Sequence, residues 1–270
     1  MPTLLPGPPF SPIGDGGNKV AERLKPTHTQ LVTIYVIAGY SVFILIAWNL
    51  WGLRHLLYPF KLLVVAFHEF SHAAVGCCTG ARIESITLDP NEGGATRMRG
   101  GIQCCTLPAG YLGSSLIGAL LIFAGFNIVA SKIASIALGV GLIIVLFWAR
   151  NWLTRGVVVA AAGLLVAFWF INHAEPLRFL VLFIGVMSCL YSVWDILDDL
   201  VFRKVNESDA SQFAKLCPVI PSRVWGLLVS IIFLGAGILG GLAAFKQSAE
   251  EQKEDSEDFL PTRLLMSLMR

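Results

Sequence analysis

The chain has 270 residues, 55% of them hydrophobic and only 14% charged, where soluble domains carry about 25% charged residues. That deficit, with several long apolar runs, excludes an ordinary soluble domain. It predicts an all-α polytopic membrane protein of about six to seven transmembrane helices, with the lipid bilayer as its solvent. The formal net charge is +2 and no basic patch interleaves with aromatics, so nucleic acid is excluded as a partner.

Residues 1–30 contain Pro2, Pro6, Pro8, Pro9 and Pro12 among glycines, which predicts a flexible, non-helical leader. They lack the basic n-region and adjoining apolar core of a cleaved signal. The membrane core is expected over 31–245. Runs long enough to cross fall near 31–51, 59–77, 108–130, 133–149, 155–172, 177–197 and 224–245. Lys132, between two of these runs, predicts a tight turn. Seven spans is the count, with six as the alternative.

One loop breaks the pattern. Arg82 to Leu88 alternates polar and apolar residues, Asp89-Pro-Asn-Glu-Gly-Gly94 is turn chemistry, and Ala95 to Gln103 supplies a returning strand. A small β-hairpin is therefore expected directly after the second span. Residues 246–270 form an acidic C-terminal tail. Ala249 to Asp258 is expected to be disordered, and Phe259 to Arg270 to form a short amphipathic surface helix. In a seven-span layout the N-terminal side holds twelve of the 20 Lys and Arg residues, which predicts a cytosolic N-terminus.

The six cysteines include no CxxC pair, so a cysteine zinc site has no support. Two vicinal pairs, Cys77-Cys78 and Cys104-Cys105, flank the hairpin loop. They are open to bridging, to palmitoylation, or to a plain role as small apolar residues.

Chemistry concentrates in the second span. His68-Glu69-Phe70-Ser71-His72 puts two imidazoles four residues apart, on one face of a helix, where both can grip one metal ion. Glu69 is then placed to act on water at that metal as general base. Three ionisable residues in five positions of an apolar run are costly unless they have work to do. A catalytic zinc site needs a third protein ligand. The sixth span ends in Asp195-Ile-Leu-Asp198-Asp199, whose carboxylates share a helical face, and Asp195 or Asp198 is the expected third ligand. Asp199 would orient the ligands from behind. Gly110, Gly113, Ser114 and Gly118 form a small-residue face on the third span, which allows close helix packing.

These residues resemble the site-2 protease family of membrane zinc metallopeptidases, in its short branch without a PDZ domain. The resemblance rests on His68 to His72, on Arg82 to Gly94, on Gly101 through Gly113, on Ser192 to Asp199 and on Val205 to Ala210. It implies a Zn2+ enzyme that cuts membrane-spanning protein substrates (regulated intramembrane proteolysis), with His68 and His72 as ligands and Glu69 catalytic. The wider family takes its aspartate from an Asn-Pro-Asp-Gly-like motif, which this chain lacks. Two other readings stay open: a binding protein on the same scaffold that grips helices without cutting, and a metal transporter.

Overall fold

The computed structural model describes residues 15–89, 93–201, 212, 215 and 222–259, with the backbone alone over the last turns before Val201. Its first helix, α1 (Asp15–Leu24), stands inside the stretch expected to be non-helical. No proline follows Pro12 until Pro26, so nothing in that stretch removes a helical hydrogen bond. Residues 1–14 lie outside the described residues. Helix α2 (His28–Asn49) opens at a capping box, in which Thr27 Oγ1 accepts from Gln30 N and Gln30 Oε1 accepts from Thr27 N. Helix α3 (Leu53–Cys78) carries the histidine motif.

Strands β1 (Arg82–Asp89) and β2 (Gly93–Arg99) form the expected antiparallel hairpin, paired from Arg82 with Arg99 to Asp89 with Gly93. The second strand ends earlier than the alternation suggested. Gly100 and Gly101 take positive φ angles of 83° and 85°, and helix α4 (Gln103–Ala124) starts at once. Helices α5 (Ile128–Trp148), α6 (Trp152–Trp169), α7 (Glu175–Val201) and α8 (Ser222–Ala244) follow. The polar segment 202–221 lies outside the described residues but for 212 and 215.

The break before α5 falls at Gly125 to Asn127, not at Lys132. Asn127 caps α5 by accepting from Ala130 N at 3.0 Å. Lys132 is a turn further on and buried, its ammonium donating to Ser256 O at 2.6 Å and Phe259 O at 3.0 Å. Ser256 lies in helix α9 (Ala249–Asp258), the segment expected to be disordered, and Phe259 is its C-cap. Ser248 and Glu251 cap it reciprocally. Gln252 and Ser256, one turn apart, are buried, while the carboxylates keep to water. Gln252 Oε1 accepts from Arg178 at 3.1 Å, Arg178 also donates to Thr33 Oγ1 at 2.7 Å, and Lys253 pairs with Glu175 at 3.1 Å. Two cations at the end of the bundle are thus met by carbonyl and amide oxygens of this segment, and Glu175 of α7 by its Lys253. Removing one partner of a buried charged group costs about 1.5–3 kcal/mol. Gln252→Ala should therefore lower unfolding stability in detergent by about that much, and an unchanged melting midpoint would show that the Gln252–Arg178 contact stabilises nothing. Residues 260–270, the expected surface helix, lie outside the described residues.

Among the described residues, α2, α4, α5 and α6 are long and apolar enough to cross a membrane, and α8 with α9 makes a fifth, bent by 87°. Large apolar side chains remain on outer faces; Phe147 is 84% and Ile143 68% exposed. Such a belt suits hydrocarbon rather than water. The chain is an integral membrane protein by this composition.

Contacts set the helix directions. Thr33 meets Arg178, Tyr40 meets Phe183 at 5.2 Å and Trp48 meets Tyr191 at 6.4 Å, so α2 and α7 run the same way. Ser188 Oγ donates to Ser114 O at 2.8 Å, and a Cβ on Gly125 would stand 2.7 Å from Leu182, so α4 runs against α7. Helix α8 runs with α4, Gly237 lying on Ala119 and Gly240 on Phe123. Seven alternating spans would oppose α2 and α7. Their shared direction does not fit that layout.

Candidate metal centre

Every residue of α3 from Leu62 to Glu69 is buried. A helix enclosed on all sides must be apolar all round, which Leu62-Leu-Val-Val-Ala-Phe67 satisfies. His68, Glu69 and His72 interrupt that run and remain only 7%, 5% and 7% exposed. Buried ionisable groups need partners, and the surrounding elements supply them.

The two imidazoles converge. His68 Nε2 and His72 Nε2 are 3.0 Å apart, with ring centroids at 4.7 Å. Two Zn–N bonds of about 2.0–2.1 Å at a tetrahedral angle bring nitrogens roughly 3.3 Å apart, so the pair fits one zinc ion. His72 Nδ1 lies 2.7 Å from Thr106 O. A carbonyl only accepts, so Nδ1 carries the proton and the Nε2 lone pair is left for a metal. Tyr111 packs edge-on against His68, centroids 4.8 Å apart, and limits its rotation. Thr106 and Tyr111 both come from the start of α4.

Glycine makes that proximity possible. A Cβ on Gly110 would fall 2.5 Å from His72 Nε2 and onto His68 Nε2, and one on Gly113 would fall onto the Ser71 side chain. The small-residue face of α4 is therefore shared between two neighbours. Gly110 and Gly113 admit α3, while Ser114 and Gly118 meet Ser188 and Gly185 of α7.

The hairpin holds the carboxylate. Thr96 Oγ1 stands 2.7 Å from Glu69 Oε2 and 2.9 Å from Glu69 O, and Gly94 leaves the space that Glu69 fills. Strand β1 is fastened on its other side to the α5–α6 turn, where Leu88 N donates to Thr154 Oγ1 and Asn151 donates to Leu88 O. A cavity of about 600 Å³ opens beside Glu69 and His72, bounded by Gly94, Thr96, Gly101 and Gln103.

The structure thus joins His68, Glu69 and His72. Among the described residues no third His, Cys, Asp or Glu completes a metal cluster. Asp195, Asp198 and Asp199 fall in the closing turns of α7, and their side chains lie outside the described residues. Residues that sequence reasoning missed are Thr96, Thr106 and Tyr111. Their work depends on segments about thirty residues from the motif, and no local pattern signals it.

A histidine pair and a carboxylate enclosed by membrane helices is the kind of site that membrane metallopeptidases carry. A family model described as Peptidase M50B-like matches residues 37–240. The chain belongs to this family, a site-2 protease family of metallopeptidases. No curated protein and no solved structure matches the chain.

Proposed function

We propose that the chain is an intramembrane zinc metalloendopeptidase that hydrolyses peptide bonds of membrane-spanning proteins. The convergence of His68 and His72 Nε2 atoms beside Glu69 carries this reading. His68 and His72 would hold the ion with Asp195 or Asp198. Zinc bound there supplies Lewis acidity toward a water and the scissile carbonyl. Glu69 takes a proton from the attacking water and returns it to the leaving nitrogen. Thr96 keeps the Glu69 carboxylate turned toward the cavity wall, and Thr106 keeps His72 in its ligating tautomer.

Helical register favours Asp195 among the aspartates. It lies two turns beyond Ser188, on the face of α7 that meets α4. Because α4 runs the other way, two turns before Ser114 is the level of Leu107, next to Gly110. Asp199, one turn beyond Asp195, would orient the site from behind, and Asp198 is offset from Asp195 by about 60° around an ideal helix. Asp195→Asn should lose at least about nine-tenths of the bound zinc, and Asp198→Asn should keep it, measured by metal analysis of purified protein. Full zinc in both variants would remove the aspartates from the ligand set.

Six crossings, α2 and α4 to α8, accommodate the observed directions, with α3 threading the bundle without a separate crossing. Both termini then share one side, opposite the metal site. The site end carries eleven Lys and Arg (Arg54, Lys61, Arg82, Arg97, Arg99, Arg150, Arg155, Arg203, Lys204, Lys215 and Arg223), leaving nine of the 20 for the end with the termini. Positive residues mark the cytosolic side. The site end is therefore cytosolic, and the N-terminus lies on the far side, the reverse of the seven-span expectation. Tags at residues 1 and 270 should both be shielded from protease added to the cytosolic face. Digestion of either one would reject the layout.

A further inference from the structure

Four thiols crowd the rim of the site. Cys77 and Cys78 end α3, Cys104 and Cys105 stand in the first turn of α4, and all four are exposed. The two helix ends meet. Ile102 N donates to Thr79 Oγ1 at 3.4 Å, and a Cβ on Gly101 would touch Ala81 and Thr79 at 3.1 and 3.2 Å. The whole connection from Gly100 to Cys105 is exposed, and Ile102 offers an apolar side chain 55% exposed. Arg82 and Arg97 stand exposed on the neighbouring strands, and Arg99, also exposed, pairs with Glu84. Thiols at the ends of membrane helices, beside apolar and cationic side chains, sit where an acyl chain can enter the bilayer while arginines meet anionic headgroups.

We infer that this rim is an S-acylation site that takes long-chain acyl groups from acyl-coenzyme A. The proposal rests on the cytosolic placement of the site end given above, since acyl-coenzyme A is found there. A cysteine sulfur attacks the thioester carbonyl carbon of the acyl donor. The new sulfur–carbon bond forms as the bond from that carbon to the coenzyme A sulfur breaks. Coenzyme A leaves as its thiol with the proton from cysteine, and no electrons change hands. Cys105 directly precedes Thr106, whose carbonyl holds His72. Acylation would therefore pin to the bilayer the segment that orients one proposed metal ligand.

The test uses the full chain expressed in cells fed an alkynyl long-chain fatty acid. The labelled protein is then treated with neutral hydroxylamine, which cleaves thioesters. Wild type should carry label that hydroxylamine removes. The combined variant Cys77→Ser, Cys78→Ser, Cys104→Ser, Cys105→Ser should lose at least nine-tenths of it, while Cys189→Ser, at a buried thiol, should keep it all. If the combined variant fails to accumulate, each vicinal pair replaced alone should remove part of the label. Absence of hydroxylamine-sensitive label from wild type, or equal label on the four-site variant, overturns the proposal. A membrane-impermeant maleimide separates the two ways of failing. Rim cysteines labelled from outside intact cells, or shielded when the plasma membrane alone is permeabilised, would show the orientation to be wrong. Labelling once the plasma membrane alone is permeabilised, with no acyl chain, would leave the orientation standing and reject acylation.

Discussion

Glu69→Gln should abolish peptide cleavage while the purified protein still holds about one zinc per chain, as a three-ligand site requires. Gln keeps the volume and hydrogen-bonding reach of the side chain beside Thr96 but cannot accept a proton from water. General acid–base catalysis contributes about 10²–10⁴-fold, so turnover of a co-reconstituted spanning substrate should fall at least that far. The two measurements together discriminate among functions. A client-gripping protein without hydrolysis would show no cleavage even as wild type. A metal carrier would transport whether or not residue 69 were charged. Cleavage by the Gln variant at the wild-type rate would end the general-base assignment.

Gly110→Ala should be nearly as damaging, although glycine 110 has no chemistry of its own. Its added methyl group would fall 2.5 Å from His72 Nε2, and closer still to His68 Nε2. Carbon and nitrogen do not approach so closely without a bond, and both rings are confined, by Thr106 O and by Tyr111. Either the rings leave their shared focus or α4 moves away from α3. Disturbing the support of metal ligands typically costs 10–100-fold in affinity, and a direct collision should reach at least the upper part of that range. The control is Gly139→Ala in α5, where nothing lies within 4 Å of the new Cβ and the helix gains propensity. Zinc content and cleavage should collapse in the first variant and stay intact in the second. Full occupancy in Gly110→Ala would mean that α3 and α4 do not meet at these residues.

Several elements were legible before any coordinates. The apolar runs marked α2 through α8, because a helix that meets hydrocarbon must be apolar over its own length. The hairpin was legible from its period of two and its turn residues. Acidic helix α9 was not. Its composition read as disorder, and its capping box could not outweigh that without knowing that Lys132 and Arg178 wait at the end of the bundle. Lys132 misled for the same reason. A lysine in an apolar run looks like a turn until its acceptors, Ser256 O and Phe259 O, are found more than a hundred residues away.

From residue order alone, periodicity puts His68, Glu69 and His72 on one buried helical stretch and draws the apolar helices around it, since both properties depend on neighbours within a turn or two. Only the tertiary structure decided that Gly110 makes room for both imidazoles, that Thr106 and Thr96 hold His72 and Glu69, and that α2 and α7 run in one direction. Those contacts join segments far apart in the chain, and helical period carries no information about which distant surface will be close enough to touch.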